Sequence, residues 1–94
     1  MKIVYTGHLE NRLKMRGIEH DLPRRILEES QEKYFDSETG HFVVVNKARL
    51  YGKIREVMVA YILEEDTAKI VTIHPLKENQ KENRIKTRRW RKVS

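Results

Sequence analysis

Hydrophobic and polar positions alternate with a period of two through the middle of the chain. Between residues 41 and 75, three runs rich in β-branched and aromatic residues stand out: 42–50 (FVVVNKARL), 54–63 (IREVMVAYIL) and 68–74 (AKIVTIH). Tyr51-Gly52-Lys53 and Glu64-Glu65-Asp66 separate them, which predicts three strands with turns between. Gaps this short dictate an antiparallel meander. Alternation places Phe42, Val44, Ala48 and Leu50 on one face with Asn46, and Val43 and Val45 on the other with Lys47 and Arg49. In the second strand Met58, Ala60 and Ile62 oppose Arg55, Val57, Val59 and Tyr61. Such a sheet needs a helix layer on one face and leaves the second for a ligand.

The segments before the meander supply that layer. Residues 2–5 (KIVY) form a short additional strand. Thr6 is an N-cap and Gly17 a left-handed terminator, so a helix runs over 7–16. Its buried stripe is Leu9 and Leu13, while Glu10, Asn11 and Lys14 point to water. His8, Arg12 and Arg16 form an i, i+4, i+8 line on the shoulder of that stripe, either anchoring helix to sheet or serving catalysis. Ile18 returns to the core, and Asp21-Leu22-Pro23 opens a second helix with Leu22, Ile26 and Leu27 inward. Arg24 with Glu28 and Arg25 with Glu29 are expected as exposed i, i+4 pairs worth about 0.2–0.5 kcal/mol each. Residues 30–39, with Tyr34-Phe35 at their centre, read as a short edge strand and turn.

Beyond His74, Pro75 stops the last strand. Residues 77–83 (KENQKEN) are polar throughout, a linker or an exposed helical turn. Length and composition fit one domain of residues 1–76 with an appended segment, 77–94. The net charge of +6 is unevenly placed: from Arg84 onward there are six bases and no acid, and the remainder balances 14 bases against 14 acids. A cationic end of this kind suits a polyanionic partner, nucleic acid ahead of membrane, because no amphipathic apolar stripe accompanies it. Trp90 stands among Arg84, Arg88, Arg89 and Arg91. It either stacks on an unpaired base or folds back with Ile85 and Val93 onto the body. The chain has no cysteine, which excludes disulfides, thiolate metal sites and a cysteine nucleophile. With no signal-peptide pattern and no apolar run long enough to span a bilayer, a cytoplasmic protein is expected. The four histidines, His8, His20, His41 and His74, show no i, i+4 pair and no HExxH, so no metal site is assigned.

The order strand, helix, helix, then antiparallel strands resembles the RelE/ParE superfamily of small bacterial and archaeal toxins. Residues 7–18 (GHLENRLKMRGI) resemble the signature of an uncharacterised branch near the BrnT toxins: His, Arg four residues on, Arg four further, then Gly-Ile. Residues 70–75 (IVTIHP) match its last strand, and the resemblance spans residues 2–76. It implies an α+β fold of two helices on an antiparallel sheet of about four strands, with a basic C-terminal tail. It also implies a metal-independent endoribonuclease acting on mRNA or ribosome-associated RNA without a cofactor. In that chemistry His74 or His8 is the general base or acid. Arg12, Arg16, Lys47, Arg49 and Arg55 stabilise phosphate, and Tyr61 stacks or donates a proton. The usual RelE-type ending differs here, because Pro75-Leu76 and Trp90 stand where an arginine and a tyrosine are expected. RNA, an antitoxin-like protein and a second copy of the chain are the implied partners. Two alternatives stand beside catalysis: a nucleic-acid-binding module contacting phosphates through Lys47, Arg49, Arg55, Arg84, Arg88, Arg89 and Arg91, and a protein-interaction module of a toxin–antitoxin-type pair.

Overall fold

The structure, a computed structural model, describes residues 1–93. In chain order it comprises β1 (Lys2–Tyr5), α1 (Gly7–Arg16), α2 (Leu22–Glu29), β2 (Glu32–Asp36), β3 (Phe42–Leu50), β4 (Lys53–Glu64), β5 (Thr67–Pro75), α3 (Gln80–Lys86) and β6 (Trp90–Lys92). The strands form one mixed sheet in the order β1-β5-β4-β3-β2-β6. Only the β1–β5 pair is parallel. The class is α+β.

Local chemistry explains the boundaries. The Leu9 N–H donates to Thr6 Oγ1 at 3.1 Å, and Gly17 (φ 63°) accepts the left-handed turn that ends α1, satisfying end groups that water would otherwise have to serve. Tyr51 and Gly52 both have positive φ (53° and 78°), the twist a two-residue hairpin loop needs to join β3 to β4. The expected Arg24–Glu28 and Arg25–Glu29 pairs do not form. Arg24 Nη2 instead donates to the Ile3 carbonyl at 3.0 Å, and Arg25 pairs with Glu19 and Asp21. An outward-facing carbonyl on an edge strand gives a guanidinium more than an exposed helical neighbour does.

Two apolar layers sandwich the sheet. On the helix side Leu9, Leu13, Leu22 and Ile26 pack on Val44, Val57, Val59, Ile70 and Ile73. On the far side Tyr34, Val43, Val45, Met58 and Ala60 surround Trp90, with Leu76 alongside. The β3 and β4 faces follow the alternation read from the sequence. The far side, however, corrects two expectations. The sheet has six strands rather than four, and its second face is partly covered, because the chain turns back after Leu76 and lays α3 and β6 against it. Residues 90–92 pair with β2, so β2 is internal and not an edge. The cause is the far face itself: a large aromatic side chain laid on exposed valines and a tyrosine removes apolar surface from water, worth about 1.5–3 kcal/mol or more. Ser94, the last residue of the basic stretch, lies outside the described residues.

A bulge between Ala60 and Tyr61 shifts the β4–β5 register. Ala68, Ile70 and Ile73 consequently all face the helices, where strict alternation would have sent Ile73 the other way. His74 is thereby turned to the far face, a re-aiming that bulges commonly perform.

Candidate nucleic-acid interface

His74 lies opposite Met58 in the β4–β5 ladder and is half-buried. Its Nε2 sits 3.1 Å from Met58 Sδ. A thioether can only accept, so in the neutral ring this contact places the proton on Nε2 and leaves Nδ1 with the free lone pair. Burial and then the charges of Arg84, Arg12 and Arg16 hold the imidazole below its ordinary value, since each disfavours a further positive charge.

Those arginines come from two separate elements. β1 ends at Tyr5 opposite Ile70, and α1, which packs on β5, begins two residues later. α1 therefore lies beside β5, and its Arg12 and Arg16 are among the charges that act on His74. Arg12 is half-buried, whereas His8 and Arg16 are exposed. With Asn11 and Met15 these residues border a shallow cleft of about 200 Å³. Arg84 approaches from α3, with its guanidinium carbon 5.3 Å from the centroid of the Trp90 ring, a stacked arrangement that orients the guanidinium without neutralising it. Among the described residues none of Arg12, Arg16 and Arg84 has a carboxylate partner, although Arg25 and Arg89 do. After burial, these three guanidinium groups are what lowers the His74 pKa, and the nearby carboxylates of Asp36 and Glu38 partly offset the charge of Arg84.

The platform under Arg84 is built from buried polar contacts. Trp90 is 1 % exposed, stacks on Tyr34 with centroids 5.4 Å apart, and donates from Nε1 to Asp36 Oδ2 at 3.2 Å. Asp36 is itself 3 % exposed. Burial alone would raise its pKa, but donation from Arg89 Nε and Nη2, the Glu38 and Thr39 N–H groups and the Trp90 indole outweighs that and holds it low. At the other end of α3, Lys81 reaches Glu56 at 2.8 Å and Glu32 at 3.2 Å. Its hydrogen bond to Glu56, offset in part by burial and reinforced by Glu32, raises its pKa.

The remaining candidates are dispersed. Tyr61 is 2 % exposed in the helix-side core, stacked on Phe42, and burial raises its hydroxyl pKa. It stands on the opposite face from His74, so the two do not meet. Lys47 and Arg49 are exposed near the β3–β4 turn. Arg55 is half-buried, and its Nε is buried without a partner among the described residues. Arg88 and Arg91 are exposed, and Arg89 is taken up by Asp36 and Glu38. Trp90 corrects the base-stacking expectation: with Tyr34 on the ring and its edge tied to Asp36, no face is offered to a base. Ile85 and Val93, expected to fold back with it, are 41 % and 47 % exposed. Sequence reasoning passed over Asp36 and Lys81. The available signal for Asp36 was that a tryptophan drawn into the fold needs an acceptor for its indole N–H.

No protein-family model, no curated protein and no solved structure matches this chain.

Proposed function

We propose that the protein binds RNA beside His74 and cleaves it without a metal ion, as a toxin-like endoribonuclease. One observation carries this reading: the half-buried His74 lies in the field of Arg84, Arg12 and Arg16, none of which makes a salt bridge among the described residues. A phosphodiester entering here meets guanidinium groups that oppose the charge added in the phosphorane. His74 Nδ1 takes the proton of a ribose 2′-hydroxyl, whose oxygen attacks the adjacent phosphorus. The bond to the 5′-oxygen breaks, and that oxygen takes a proton from the imidazolium, from His8 or from water. The products are a 2′,3′-cyclic phosphate and a free 5′-hydroxyl. The bound phosphate also counters the field that depresses His74, so the imidazole becomes a stronger base once substrate is present. The resemblance of α1 to the toxin signature supports the same chemistry.

The test is cleavage of single-stranded RNA by the full chain and by His74→Gln and Arg84→Ala. His74→Gln should lower the rate by about 10²–10⁴-fold with RNA binding retained. Arg84→Ala should weaken both binding and turnover. Equal cutting by wild type and His74→Gln would remove the catalytic claim. Binding without turnover is the second reading, favoured by the burial of Tyr61 on the opposite face. It predicts no cleavage but a log–log salt slope near −2, from about −0.7 per phosphate contacted.

A further inference from the structure

Arg84 belongs to a second feature. A cleft of about 580 Å³ opens between α3 and the turn after β2. Its volume is that of a small-molecule site. Gln80, Asn83, Arg84, Arg88, Arg89 and Glu38 line it, with the hydroxyls of Ser37 and Thr87. The two hydroxyls are spent inward, Ser37 donating to the Arg89 carbonyl at 3.1 Å and Thr87 to the Asn83 carbonyl at 2.9 Å. Arg89 and Glu38 pair with each other across 3.5 Å. What remains for a ligand is specific: the guanidinium groups of Arg84 and Arg88, unpaired among the described residues, and the Asn83 side-chain amide, which makes no hydrogen bond there. Gln80 accepts from the Lys77 N–H at 2.9 Å, leaving its amide hydrogens for a partner. Arg88 is held at φ 65° by the left-handed turn that ends α3, its N–H donating to the Ile85 carbonyl at 3.0 Å.

We infer that this cleft holds one nucleotide of the bound strand, its phosphate on Arg84 and Arg88 and its base edge against the amides of Asn83 and Gln80. The Asn83 amide, which can both donate and accept, and the amide hydrogens of Gln80 match the mixed edge of a nucleobase, which a bare phosphate site does not require. Arg84 then bridges two neighbouring positions of one chain, the phosphodiester at His74 and the nucleotide in the cleft. The placement within a strand rests on the function proposed above, whereas occupancy by a nucleotide is measurable without it.

Trp90 is the sole tryptophan and lies directly beneath Arg84, so its emission reports on the cleft. The experiment titrates the full chain with each nucleoside 5′-monophosphate, and with inorganic phosphate at matched ionic strength. At least one nucleotide should bind about tenfold or more tightly than phosphate, the value of one or two well-placed hydrogen bonds. Asn83→Ala should weaken that nucleotide by about three- to tenfold and leave the phosphate response unchanged. Arg88→Gly, which relieves the backbone while deleting the charge, should weaken both. Lys14→Ala, on the water-facing side of α1, should leave nucleotide binding unaltered. Nucleotides binding no better than phosphate, or indifference to Asn83→Ala and Arg88→Gly, would overturn the inference. Loss of RNA cleavage in His74→Gln with nucleotide binding intact separates the two claims.

Discussion

Asp36 is the residue on which the C-terminal end depends. It is a buried carboxylate whose oxygens are taken by a guanidinium, two backbone N–H groups and an indole, and its removal strands Arg89 and Trp90 together. Asp36→Asn should therefore lower stability by about 2–4 kcal/mol, measured by urea unfolding. The sign of its pH dependence is set by the lowered folded pKa. Its contribution is present above the unfolded value of about 3.9 and is lost as the pH falls through the folded value. Asp36→Asn should accordingly flatten the acid limb of the stability curve. His74 also has a lowered pKa, and for a base this means that folding disfavours the proton. Stability should rise with pH from the folded value up to the ordinary histidine value of about 6.5 and be level above it. His74→Gln should abolish that rise, which thermal unfolding across mildly acid pH will read.

At the level of elements, α1 was legible and α3 was not, for a physical reason. α1 carries its own punctuation, a threonine cap and a terminating glycine around two leucines four apart, all within one stretch of sequence. α3 has no apolar stripe, and none of its residues is buried. It is held by Lys81, whose partners Glu32 and Glu56 lie far away in sequence, and by Arg84 on the nearby Trp90. Such partners cannot be read from residues 77–83. Replacing Lys81 by Met leaves two carboxylates facing each other with no cation between, and should cost about 1–2 kcal/mol after allowing for partial exposure. It should also raise amide exchange across α3 while leaving α1 unchanged, an outcome that hydrogen–deuterium exchange would separate from global destabilisation. The bulge in β5 was equally hidden, because period-two reading assumes one residue per step. The extra residue decides which way His74 faces, so the resemblance supplied the histidine as a candidate while the geometry supplied its surroundings.

Seen whole, the molecule has a sheet with apolar side chains on both faces, and only the residues beyond Leu76 cover the far one. Treating 77–94 as an appendage implies that 1–76 stands alone. The packing implies that shortening the chain to 1–76 bares Tyr34, Val43, Val45 and Met58 and removes the outer partner of β2. That truncation should aggregate or lose its cooperative thermal transition, observable by size-exclusion chromatography and calorimetry. The basic cluster is accordingly part of the packed body. Its neutralised Arg89 secures the fold, as Lys81 does on α3, while Arg84 and Arg88, without salt bridges among the described residues, are presented on it.

The two outermost ladders have a kinetic consequence. β1 must find β5, pairing Lys2 with Thr67, and β6 must find β2, pairing Trp90 with Asp36, while the central hairpin needs only a two-residue loop. Early closure of the hairpin, followed by slow capture of both margins, is the order that loop entropy dictates. In stopped-flow refolding the tryptophan signal, which reports the docking of β6, should trail the gain of β-sheet circular dichroism.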